Sequence, residues 1–165
     1  MNGKIIGVGL VLVSLIAGAA MYWLQLYAFY EPARFEPGAE ISLTPIIGTA
    51  PEVILADNVQ GIDANSSPLR FRACFHTPLS QAMLTETYRV YEKAEPLVAP
   101  PWFSCFDAGR ITQALETGEA IAFLSVQDIQ PGIDRVVAVF ADGQAYAWHQ
   151  LNDTLKVDPN ARIAD

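Results

Sequence analysis

The sequence predicts an α+β protein: an N-terminal transmembrane helix followed by one small domain with a mainly antiparallel sheet and short helices. Three observations carry this. No charged residue occurs between Lys4 and Glu31. Short alternating or apolar runs separated by turn residues recur from Ile41 to Leu151, among them Arg135–Phe140 and Ala145–Leu151 joined by Ala141-Asp142-Gly143-Gln144. One well-capped helical pattern, Asp107 to Gly118, is set among them. The chain has 165 residues, a net charge of −8 and 52% hydrophobic residues. Without residues 1–30 the apolar share falls to about 47%, an ordinary globular value. The composition therefore describes an apolar segment (1–30), a linker (31–38), one acidic domain (39–151) and a polar tail (152–165). With 18 acids against 10 bases, nucleic acid is not an expected partner, since affinity for phosphates comes from Lys and Arg.

Residues 5–28, IIGVGLVLVSLIAGAAMYWLQLYA, are long enough to cross a hydrocarbon core of roughly 30 Å. A secretory signal peptide with a cleavage site at Ala17-Gly18-Ala19 competes with an uncleaved anchor. The run from Met21 to Tyr30 stays apolar and becomes aromatic, which favours an anchor, because Trp and Tyr rings settle at the membrane–water boundary. Lys4 before the helix and Glu31, Arg34 and Glu36 after it place the N-terminus in the cytoplasm and the domain outside the membrane. At 100° per residue, Gly3, Gly7, Ser14, Gly18 and Gln25 fall within about 60° of one another. Small residues admit a second helix backbone, and Gln25 can hydrogen-bond across such a contact. The expected partners are the lipid bilayer and a transmembrane helix of a membrane protein complex. Pro32 and Pro37 break the helix and make the exit short and stiff.

In the domain, Ile41–Ile47 and Glu52–Leu55 read as short extended pieces. Val59–Pro68 reads as turn. Leu69–Phe75 alternates strictly, with Leu69, Phe71, Ala73 and Phe75 on one face and Arg70, Arg72 and Cys74 on the other, which predicts a half-buried strand. Thr77 and Pro78 open a short helix to Leu84. Thr87–Tyr91 reads as strand and Ala94–Pro101, with three prolines, as loop. Asp107 caps the next helix, Ile111 and Leu115 face its core and Gly118 closes it. Ala120–Ser125 is a buried-type strand, and Asp142-Gly143 turns the final hairpin. The tail from Asn152 is expected to fray.

Cys74 and Cys105 are the two cysteines. An oxidising compartment favours a disulfide between them. A metal is the alternative. Cys74 and His76 are two apart on one strand, as are Cys105 and Asp107 in sequence, and His149 could complete a copper or zinc site. The familiar catalytic motifs, Gly-x-Ser-x-Gly, the Walker loop, Gly-x-Gly-x-x-Gly, His-Glu-x-x-His and Cys-x-x-Cys, are absent from the sequence. No catalytic residue and no cofactor is assigned. His149 reads as a histidine at the sheet surface, and Arg70 and Arg72 as partners for Glu86, Glu92 and Glu95.

Ser66–Phe75, Leu84–Tyr88, Trp102–Ala108, and Gly132–Phe140 through Trp148-His149-Gln150 together resemble an uncharacterised family of proteobacterial proteins that pair an N-terminal helix with one such domain. The resemblance covers most of the chain and implies a single-pass, membrane-anchored protein with a periplasmic domain of unknown function. Members continue past the last strand with further cysteines that this chain lacks, which leaves Cys74 and Cys105 to pair with each other. The resemblance brings no activity. The expected role is a non-catalytic accessory or assembly subunit of an inner-membrane complex, for example a respiratory one. The alternative is a periplasmic copper, redox or haem chaperone using Cys74, His76 and Cys105.

Overall fold

The computed structural model describes residues 3–156. The chain divides into two compact units, Met1–Tyr30 and Glu31–Asp165. In the first, α1 (Gly3–Trp23) continues into a π-helical turn, Leu24–Ala28, and holds no buried residue. From Ile5 onward its residues are apolar all round apart from Ser14, as suits a membrane span. It is long and apolar enough to cross a membrane, with a mean hydropathy of 2.3 in its most apolar window. A segment of this length and composition serves as a membrane anchor or as a signal sequence.

The second unit is built on a six-stranded sheet in the order β1-β4-β5-β8-β7-β6. The strands are β1 (Glu31–Pro32), β4 (Asp57–Asp63), β5 (Arg72–His76), β6 (Ala120–Gln130), β7 (Ile133–Phe140) and β8 (Gln144–Leu151). Every pair in it is antiparallel. A separate hairpin joins β2 (Ser42–Leu43) to β3 (Glu52–Val53). The helices are α2 (Gln81–Thr87), α3 (Ala108–Thr117) and α4 (Asp153–Lys156). The α+β class follows from this arrangement.

Neither face of the sheet's centre meets water. Ala73, Phe75, Val137, Val139, Ala145 and Ala147 point to one face, under Leu43, Ile54, Leu84 and Tyr88. Cys74, Val136, Ala138, Phe140, Tyr146 and Trp148 point to the other, under Phe106, Ile111 and Ala114. This explains the apolar run Val136-Val137-Ala138-Val139-Phe140, since a strand covered on both faces has no polar alternation. The hairpin turn needs Gly143: its φ is +84°, and a Cβ there would lie 2.5 Å from the Thr77 carbonyl oxygen.

Several expectations are corrected. The segment read as linker is partly structural: Glu31 and Pro32 pair with Asp63 and Ile62, and Phe35 packs edge-on against Phe71. The segment read as turn contains strand β4. Gly61 lies there because a Cβ would meet the Phe35 ring at 2.6 Å, and Asn58 takes φ 54° where the register shifts; both residues mimic a turn in sequence. Leu69 and Arg70 belong to a 3₁₀ turn, Pro68–Arg70, capped by Ser67, so β5 starts at Arg72. Helix α2 begins later than expected, with Ser80 accepting from the Met83 amide. Thr87–Tyr91 makes only isolated bridges, Pro45 with Tyr88 and Val90 with Phe123. Strand β6 runs on to Gln130 through a bulge at which Asp128 has φ 47°. The tail begins ordered, as Asn152 is buried and α4 follows it; 157–165 lie outside the described residues.

Replacing Gly143 by Ala should destabilise the domain by about 1–3 kcal/mol, because an L residue is forced into the left-handed region against a backbone oxygen. Urea denaturation of the variant beside the parent measures this.

Candidate functional site

The helix stripe lies open. A Cβ added at Gly3, Gly7 or Gly18 would meet nothing within 4 Å. The Ser14 hydroxyl donates to the Leu10 carbonyl, 2.8 Å away, so it shows its small profile outward rather than a free donor. Gln25 lies in the π turn. A π turn advances less per residue than an α turn, so Gln25 departs from the position that 100° per residue assigns it.

Cys74 and Cys105 are joined by a disulfide with Cα atoms 6.3 Å apart. The bond ties β5 to the loop entering α3. The alternative metal set is not gathered. Both sulfurs are in the disulfide, His76 Nε2 faces the Asp142 carbonyl at 3.2 Å, and Asp107 accepts from the Arg110 amide as the cap of α3. His76 pairs with Gln144 at the start of β8, whereas His149 lies near that strand's end. Among the described residues no group of three or more His, Cys, Asp or Glu is placed to hold a metal ion.

Sequence reasoning misses two side chains that organise the proline-rich loop. Arg72, 4% exposed, donates to the carbonyls of Leu97 at 2.7 Å and Val98 at 3.2 Å, and to those of Leu69 at 2.8 Å and Phe71 at 2.6 Å. It is buried rather than on the solvated face that a half-buried strand would give it. Gln150 accepts from the Glu95 amide and the Trp148 indole and donates to the Lys93 carbonyl. A loop without a ladder must find partners for its backbone elsewhere. Three prolines beside a buried strand were the available signal.

His149 is not at the surface; it is 5% exposed. Its ring stacks on Phe71 with centroids 4.6 Å apart. Nδ1 lies 2.6 Å from the Pro68 carbonyl, and Arg135 Nε donates to Nε2 at 3.0 Å. Since arginine only donates, Nε2 accepts and Nδ1 carries the proton. Burial, and then the Arg135 charge, push the His149 pKa down to about 4. Asp134, also buried, accepts from the Tyr91 hydroxyl, the Asp128 amide and the Asn152 carboxamide, each at 2.9 Å. Burial first and this hydrogen bond second push the Tyr91 pKa up. Asn152 in turn accepts from the Thr154 amide at the start of α4.

A family model described as a family of unknown function (DUF6446) matches residues 41–162. The chain belongs to this family. The match begins at the buried Ile41 and takes in β2 through α4, so the DUF6446 region holds the disulfide, the His149 and Asp134 networks and every strand of the sheet except β1. Comparison with curated proteins gives no match, and comparison with solved structures gives none.

Two predictions follow from the site. Removing the disulfide by Cys74→Ala with Cys105→Ala should destabilise by roughly 3–4 kcal/mol, since the chain-entropy account assigns that to a loop of this size; chemical denaturation of the two forms measures it. Secondly, the folded state binds the His149 proton less readily than the unfolded state. Stability from this group is complete above about pH 6.5 and is lost as pH falls toward about 4. His149→Gln should flatten that part of the curve of melting temperature against pH.

Proposed function

We propose that this chain is a non-catalytic accessory or assembly subunit of an inner-membrane complex. In this reading α1 is an uncleaved anchor with its N-terminus in the cytoplasm, and the DUF6446 domain stands in the periplasm. The stripe of Gly7, Ser14 and Gly18 receives a transmembrane helix of the complex. The feature that carries the reading is the alignment of small residues along one side of an otherwise apolar helix. In lipid, close backbone approach of this kind is the main source of helix association. The Cys74–Cys105 disulfide supports an oxidising compartment for the domain. A binding role is further supported by the use of the buried polar groups: Arg72 and Gln150 hold a loop, His149 and Arg135 brace the turn before β5, and Asp134 and Asn152 close the β6–β7 end. Each has a structural partner.

Purification from native membranes in mild detergent should yield the chain with a larger membrane protein. Gly7→Leu with Gly18→Leu should abolish that association while leaving the thermal stability of the domain unchanged. A monodisperse monomer from the parent sequence, or association indifferent to the double substitution, contradicts the proposal. Mass spectrometry of the mature protein should find the residues before Ala20 still present.

A further inference from the structure

A cleft of about 450 Å³ opens where β1 and the segment after β4 meet His149. Glu31, Asp63 and Arg34 line it. The antiparallel register sets Glu31 directly opposite Asp63, so both side chains leave the sheet on the same face. Like charges so placed repel. Asp63 Oδ1 accepts from the Ala64 amide. Among the described residues, neither Glu31, Asp63 nor Arg34 is in an ion pair. The Asp63 charge acts on the buried Arg135, raising its pKa against the larger lowering by burial. Its guanidinium is held elsewhere, 4.3 Å from the Phe71 ring centroid and bonded to His149. The His149 floor is neutral, with both ring nitrogens in use. The cleft thus has an anionic side of two opposed carboxylates, a cationic side at Arg34, and polar Asn65, Ser66 and Gln130 on its wall.

We infer that this cleft binds an aminoalkyl phosphate, the ammonium between Glu31 and Asp63 and the phosphate on Arg34, and that its source is the ethanolamine head group of a phospholipid. A primary ammonium presents three donors in a compact charge and can serve two carboxylates at once, while a guanidinium matches the geometry of a phosphate. A quaternary ammonium has no donor and fits the carboxylate pair less well. The lipid source rests on the reading of α1 as an anchor, since a domain tethered to a bilayer meets head groups at raised effective concentration.

The test uses the full chain in neutral detergent, with native mass spectrometry after addition of phosphatidylethanolamine, phosphatidylcholine or phosphatidylglycerol. Phosphatidylethanolamine should be retained preferentially. Glu31→Gln with Asp63→Asn should remove that preference, lowering retention at least about tenfold, as expected for loss of the two charge-assisted contacts. Arg34→Gln should weaken phosphatidylethanolamine and phosphatidylglycerol alike. Free O-phosphoethanolamine should compete with the lipid. Equal retention of the three lipids overturns the inference, as does retention unchanged in the variants, which would place the lipid on the helix. A readout independent of lipid accompanies these. Glu31→Gln should raise the melting temperature without lipid by relieving the opposed charges; a lowered one contradicts the geometry. Alkaline carbonate extraction of membranes reports separately on the anchor. If the chain is extracted while free O-phosphoethanolamine still binds, the anchor and the lipid source fall and the aminoalkyl phosphate site stands.

Discussion

The domain depends on the double burial of its central strands. Trp148 on β8 is fully buried, as are Ala145 and Ala147 on the opposite face of the same strand. A sheet with both faces apolar must be roofed twice, and a chain of this length has few regular elements to do it with. One roof is the β2–β3 hairpin with α2; the other is α3 with an irregular, proline-rich loop. The loop has no ladder of its own, so its carbonyls and amides must be met from the sheet. That requirement places an arginine and a glutamine on strands where apolar residues would otherwise serve. The disulfide acts on the same roof, at the point where the loop turns into α3.

Seen this way, the buried polar groups share one logic. Arg72, Gln150, His149 and Asp134 each lie on a strand and each reach a segment with no pairing of its own. Unsatisfied, any of these groups would destabilise the core; satisfied, they specify which loop sits where. The neutral state of His149 belongs to this scheme, because a charged ring would be repelled by Arg135 and would lose the acceptor that Arg135 requires.

How much of this is legible in the sequence depends on whether the signal is local. The Asp107 cap, the Gly118 terminator and the Asp142-Gly143 turn are set by neighbouring residues, and the structure has α3, β7 and β8 where they indicate. Strand β4 is obscured because Gly61 and Asn58 are needed for a neighbour's ring and for a register shift, neither of which is a local property. Leu69–Phe75 shows a period of two, yet the second face is covered by a loop some 25 residues onward, so Arg72 looks like a surface cation. The cysteine pair is open to a disulfide or a metal in sequence because spacing alone does not show which groups converge. Its resolution needs the pairing of β5 with β8, which puts His76 and His149 far apart. The cleft beside β1 is invisible for the same reason: Glu31 and Asp63 become neighbours only through the sheet register.

The strand order has a bearing on how the domain comes into being. β5 is sandwiched between β4 and β8, yet β8 is made some seventy residues later, so the central pairing is a long-range one. Loop closure over that span precedes any gain from the contacts it makes, which slows assembly of such sheets. During synthesis the first half of the domain therefore emerges with an unfilled edge on β5 and an unroofed apolar face, and completion waits on the last strand. A nascent chain of this kind needs shelter from its neighbours until the final hairpin arrives.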